Sequence, residues 1–112
     1  MAKTELDVIT RALREIGVTA HDETPSAGEG EIARETWRAL FQELDDGERM
    51  AFDFTFDAVP ERLFLPLTRV LASRLAMTFS RPPMDEMGAM ALLRRQVFPD
   101  DRGGDPVRAT YF

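Results

Sequence analysis

Leu63, Leu67, Val70, Leu71, Leu75 and Phe79 recur at steps of three and four, the period of one helix face. Ala72, Ala76 and Met77 widen that stripe, while Arg69, Ser73, Arg74 and Thr78 hold the remaining side. A stripe this broad predicts a central core helix contacted from more than one direction, with no chemistry of its own. Pro66 interrupts the run, and a proline deep in a helix costs about 3 kcal/mol. The pattern therefore predicts a short turn over 60–64 and a continuous helix from Pro66, as its first residue, to Phe79.

Weaker periodic stretches flank it. A helix is expected over 5–16, capped by Thr4, with Leu6, Ile9, Leu13 and Ile16 as its buried stripe and Gly17 as its stop. Arg11 and Glu15 stand four apart on its wet side. Ser26 followed by Glu29 is a capping-box signal for a second helix. Ile32, Ala33, Trp37, Leu40, Phe41 and Leu44 form its apolar face, with Trp37 expected in the core, and Asp45, Asp46 and Gly47 end it. A last helix is expected over 83–97, with Met84, Met87, Met90, Ala91 and Val97 along one side and Leu92 and Leu93 flanking it. These elements define an all-α fold: a small bundle of about four helices filling a domain at 1–98, followed by a C-terminal arm at 99–112.

One stretch breaks the helical rhythm. Met50, Phe52, Phe54 and Phe56 alternate with Ala51, Asp53 and Thr55, the period of an extended segment with one apolar face. No second stretch of this kind exists in the chain. The segment is a lone connector lying on the helices, a short hairpin, or a strand completed by another subunit. The arm has no helical period and ends in Val107, Arg108, Ala109, Thr110, Tyr111 and Phe112, a polar tail tipped by two aromatics. Such a tail either frays or orders on a partner, and its aromatics favour the second.

Composition changes the picture in two ways. The 112 residues suffice for one small domain, and the absence of cysteine removes disulfides and thiolate metal sites. The net charge of −6 is unevenly spread. Residues 1–57 carry fourteen acids and six bases, net −8, and residues 58–112 carry six acids and eight bases, net +2. An acidic chain of this kind is not built to neutralise phosphates, but two halves of opposite sign suit head-to-tail association of copies. Nearly all the basic residues are arginines, suited to bidentate interface contacts. The charged, periodic N-terminus is not a secretory signal, and arginines interrupt every apolar run before it reaches membrane-spanning length.

Candidate chemistry is sparse. His21 stands alone in an acidic connector, and no nucleophile elbow, phosphate-binding glycine loop or HExxH is present. Asp100, Asp101 and Asp105 lack calcium-loop spacing. The reading is of a non-enzyme without cofactor or metal, whose surfaces carry its function. Phe52, Phe54, Phe56, Arg69 and Arg74 are the subunit-interface candidates. Arg69 and Arg74 lie one and a half turns apart, so at least one of them faces solvent or a neighbour.

Three stretches in order carry a family resemblance: ITRALREIGV, then ETPSAGEGEIA leading into WRALFQELDD, then LPLTRVLASRLAMTFSRPPMDEMGAMALLRRQV. Together they run over most of residues 5–98 and resemble the head–tail adaptor proteins of tailed bacteriophages and phage-like gene transfer agents. That family is also labelled connector, head-completion or packaged-DNA stabilisation proteins. The resemblance implies a structural subunit of a ring, commonly dodecameric, beneath the portal of a phage-like particle assembled in the bacterial cytoplasm. Such a ring prolongs the DNA channel, helps retain packaged double-stranded DNA without sequence-specific binding, and provides the platform for the next, stopper-like tail component. It implies no membrane partner. It also implies that residues 107–112 are the counterpart of the arm with which related adaptors enter the portal. The competing reading of the same helices is a free-standing regulator or antitoxin-like interaction module. An acidic lumen or neighbour-facing surface in the N-terminal half, with arginines at subunit contacts, is the expected charge arrangement.

Overall fold

Thr4 and Asp7 start the first helix by capping each other: the Asp7 N–H donates to Thr4 Oγ1 at 3.2 Å and the Thr4 N–H to Asp7 Oδ2 at 3.0 Å. In the computed structural model, which describes residues 2–98, α1 spans Glu5–Glu15. Gly17, at φ 77°, reverses the chain behind it, and the N–H groups of Val18 and Thr19 close onto the Leu13 carbonyl. Its buried face is Val8, Ile9, Ala12 and Leu13. Leu6, expected in that stripe, is 54% exposed. The face is rotated because α1 packs on two helices, and Glu5 rather than Leu6 turns inward at its first turn.

The Ser26–Glu29 capping box forms as expected and opens α2, Ala27–Gln42. Ala33, Trp37 and Leu40 are buried along it, and a π-helical turn, Glu43–Gly47, carries the chain on so that Leu44 is buried too. Ile32, expected on the apolar face, is 40% exposed.

The third helix, α3, runs unbroken over Glu61–Thr78 with Pro66 inside it. The expected break at 60–64 does not occur, for a physical reason. Pro66 removes only the donor for the Arg62 carbonyl, on an exposed turn where water can serve it. A single helix buries Leu63 on one side of the proline and Leu67 on the other. Burying one leucine is worth roughly 1.5–3 kcal/mol, enough to offset the lost bond.

Asp85 caps α4, Glu86–Val97, accepting from the Gly88 N–H at 2.9 Å. The helix thus starts three residues later than expected, after the Pro82–Pro83 pair. Its buried residues are Met90 and Leu93, backed by the partly buried Ala89 and Val97, whereas Met87 is 86% exposed. The expected methionine line is therefore not the packed face.

Four helices without a strand among the described residues make a small all-α bundle. α3 is its centre, touching α1, α2 and α4, while α2 does not touch α4. Paired backbone bonds between Lys3 and Val59, both 2.8 Å, tie the start of the chain to the entry of α3. The core runs from Val8 and Ile9 through Trp37 and Leu40 to Leu71 and Leu93.

Candidate functional site

The 50–56 segment keeps its two-residue alternation but forms no ladder. Phe52, Phe54 and Phe56 are half-buried, while Ala51, Asp53 and Thr55 between them are exposed. Within this chain the segment lies on the helices as a lone connector and forms no hairpin among the described residues. Arg49 and Ala51 adopt left-handed backbone (φ 59° and 50°) around the buried Met50, which prevents a regular strand. The Asp45 side chain accepts the Phe52 N–H at 2.7 Å, and the Met50 and Ala51 N–H groups bond to the Leu44 and Asp45 carbonyls.

Phe41 of α2 gathers the phenylalanines. Its ring centroid lies 5.1 Å from Phe52, 5.8 Å from Phe54 and 6.4 Å from Phe56, in tilted and edge-on geometry, and 5.6 Å from Trp37. Arg38 lies over Phe56, 4.7 Å from the ring centroid. The three phenylalanines thus spend one side on their own bundle and keep the other at the surface. That surface borders a shallow concavity of about 460 Å³ lined by Arg38, Phe41, Asp45, Asp46 and Phe56.

Arg69 and Arg74 diverge, as their spacing requires. Arg74 grips Glu43 with two parallel bonds of 2.9 and 2.8 Å and reaches Glu86 at 3.2 Å. It thereby clamps the end of α2 and the start of α4 onto α3. Its hydrogen bond holds the Glu43 carboxyl below the usual carboxylate range, and the same contact raises the Arg74 pKa further. This guanidinium is spent within the chain. Arg69 is exposed and has no ion-pair partner among the described residues.

Arg69 instead lies in a trough between α3 and α4 that sequence reasoning missed. Its two halves, about 300 and 430 Å³, share Arg69, Ala89 and Leu92. Leu65 and Leu92 are 40% and 44% exposed there, and Arg62 and Arg95 stand with Arg69 around them. The available signal was Arg62, Leu65 and Arg69 at steps of three and four on the face opposite the main stripe. That signal is weak, because Leu65 sits inside an apolar run and Leu92 beside the buried Leu93.

A second ionic cluster was also unforeseen. Glu5 is almost buried, with Arg38 at 2.8 Å and Arg34 at 3.3 Å on its carboxylate. Its own N–H donates to Asp57 Oδ1 at 2.8 Å. Arg34 and Arg38 are thereby folded back onto α1. The expected pair Arg11–Glu15 forms at 3.3 Å. His21 is exposed, and no group of acids, histidines or cysteines among the described residues is gathered to hold a metal. No described helix is long and apolar enough to cross a membrane. The arm candidates Val107, Arg108, Ala109, Thr110, Tyr111 and Phe112 lie outside the described residues.

The geometry offers surfaces for docking: a half-buried aromatic ridge and an arginine-rimmed apolar trough on a rigid bundle. The chain matches no protein-family model, no curated protein and no solved structure.

Proposed function

We propose that this protein is a structural subunit of a phage-type particle, a head–tail adaptor that assembles as a ring beneath the portal, prolongs the DNA channel and carries the next tail component. The observation that carries this reading is the ordered resemblance of three segments to that family. Each falls on a helix or a helix boundary. ITRALREIGV covers most of α1 with its glycine stop, and ETPSAGEGEIA covers the capped entry to α2. The long third segment covers most of α3 and all of α4 with the proline-bearing turn between them.

The physical character of the chain supports the same role. An acidic chain, net −6, presents few groups that would bind phosphates and hinder sliding DNA. The surface features are apolar and arginine-bearing patches suited to protein contacts rather than a reaction centre.

Purified portal protein is the partner that tests it. Mixed with this chain, it is expected to yield a ring visible by electron microscopy on one face of the portal. Deletion of residues 105–112 is expected to leave the helical circular dichroism signal unchanged and to abolish docking. A stable soluble dimer that ignores the portal would instead favour the regulator reading.

A further inference from the structure

We propose that the trough between α3 and α4 receives the outer face of α2 from a second copy of this chain. This inference rests on the ring-subunit reading and names the surfaces that would join neighbouring subunits. The trough has an apolar floor in Leu65, Ala89 and Leu92 and a rim of Arg62, Arg69 and Arg95. None of these arginines has an ion-pair partner among the described residues. The acids beside them are already engaged: Glu15 accepts from Arg11, Asp85 caps the Gly88 N–H, and Glu61 has partners of its own. Glu15 is thus balanced by Arg11, and Arg62, Arg69 and Arg95 stand around exposed leucines without ion pairs of their own among the described residues, with the charge of Asp85 at one end of the trough.

The complement lies on α2. Its exposed ridge runs through Gly28, Glu31, Ile32, Glu35 and Ala39. Ile32 projects between the two acids; among the described residues Glu35 has no ion-pair partner, and Glu31 has only an Arg34 contact at 3.4 Å. The bases of this helix, Arg34 and Arg38, are both turned onto Glu5, which leaves the ridge acidic. Gly28 and Ala39 are small enough for close helix approach.

Lengths agree as well. From Gly28 to Ala39 the ridge rises roughly 16 Å, and α4 from its cap Asp85 to Gln96 rises about the same. A helix laid along the trough would place Ile32 against Leu65 and Leu92 and its acids against the arginines. Within one chain α2 does not touch α4, so the occupant comes from another molecule. The contact joins two different faces, and repeated head to tail it closes into a ring when the rotation permits.

The chain has no cysteine, which permits a clean cross-linking test. Ile32→Cys and Leu92→Cys are made in separate full-length chains, mixed at high concentration and mildly oxidised. All sites changed here are exposed, so the helical signal is expected to stay unchanged. The mixed disulfide is expected to form about tenfold faster than either homodimer. Adding Arg69→Glu to the Leu92→Cys chain is expected to slow it about tenfold at low salt, and Glu35→Arg in the other chain to restore it. Mixed and homodimeric products at equal rates, or charge reversal without effect, would overturn the contact. Tail attachment in producing cells, scored separately, keeps the two ideas apart. Tailless heads without the cross-link would remove this contact and leave the adaptor role. The cross-link with tails intact in the chain's absence would remove the role and leave the contact.

Discussion

The indole N–H of Trp37 donates to the main-chain carbonyl of Phe56 at 3.0 Å, so a buried side chain of α2 holds the backbone of the phenylalanine segment. This bond explains how a stretch with strand-like alternation remains on the bundle without a partner strand. Side chains and turns hold part of its polar backbone, with Asp45 serving Phe52 and Trp37 serving Phe56. Its rings pack on Phe41.

Trp37→Phe removes the donor and leaves a smaller ring in a fully buried position. It is expected to cost about 2–3 kcal/mol, combining a lost hydrogen bond with a partial cavity. Urea unfolding followed by circular dichroism measures this. A loss below about 0.5 kcal/mol would show that the indole does not anchor the segment.

The Arg74 clamp has a pH signature. Hydrogen bonding to Arg74 holds the Glu43 carboxyl below its ordinary value of 4.5, so the unfolded chain takes up the proton more readily than the folded one. The stabilisation is fully present above pH 4.5 and is lost as pH falls through the lower folded-state value. Glu43 is partly exposed, which limits the contribution to about 0.5–1 kcal/mol after screening by solvent. Arg74→Gln is expected to cost about that much at pH 7 and less at pH 3. An equal cost at both pH values contradicts the assignment.

Glu5→Gln tests the cluster that ties α1 to α2. The carboxylate is nearly buried under Arg34 and Arg38, and its loss is expected to destabilise the fold by about 1–2 kcal/mol. The Thr4–Asp7 capping box stays intact, so α1 should remain helical. Thermal unfolding of Glu5→Gln with Arg38→Gln, compared with each single change, is expected to show coupling; simple additivity would mean the pair acts only as solvated charges.

Ala51 holds a left-handed backbone, φ 50°, with its side chain exposed. Replacement by glycine relieves that strain, partly offset by the greater freedom of the unfolded chain. A net gain of about 0.5–1 kcal/mol is expected in chemical denaturation. A loss would place the 48–52 turn under some constraint other than backbone strain.

Much of the scaffold was legible because its signals are local. The Ser26–Glu29 box, the Thr4 cap and the Gly17 stop depend on residues within a few positions of each other, and each operates as its spacing implies. Pro66 misled because its cost is local while the benefit of burying Leu63 and Leu67 on one helix is tertiary. Leu6, Ile32 and Met87 misled for a related reason: periodicity gives a helix its face, but neighbouring helices set its rotation. The trough was harder still. Arg69 was singled out for its position on the polar side, yet its relation to Leu92 exists only once α4 folds back along α3. Arg74 stood equal to Arg69 in the sequence, and only the fold shows that Glu43 and Glu86 occupy it.

In the role we propose, this chain joins a DNA-filled head to its tail. Cryo-electron microscopy of particles from cells lacking only this protein measures it most directly. DNA-packaged heads whose portal vertex bears no tail are expected, with tails restored when the full chain is supplied. Complete tailed particles formed in its absence would contradict it.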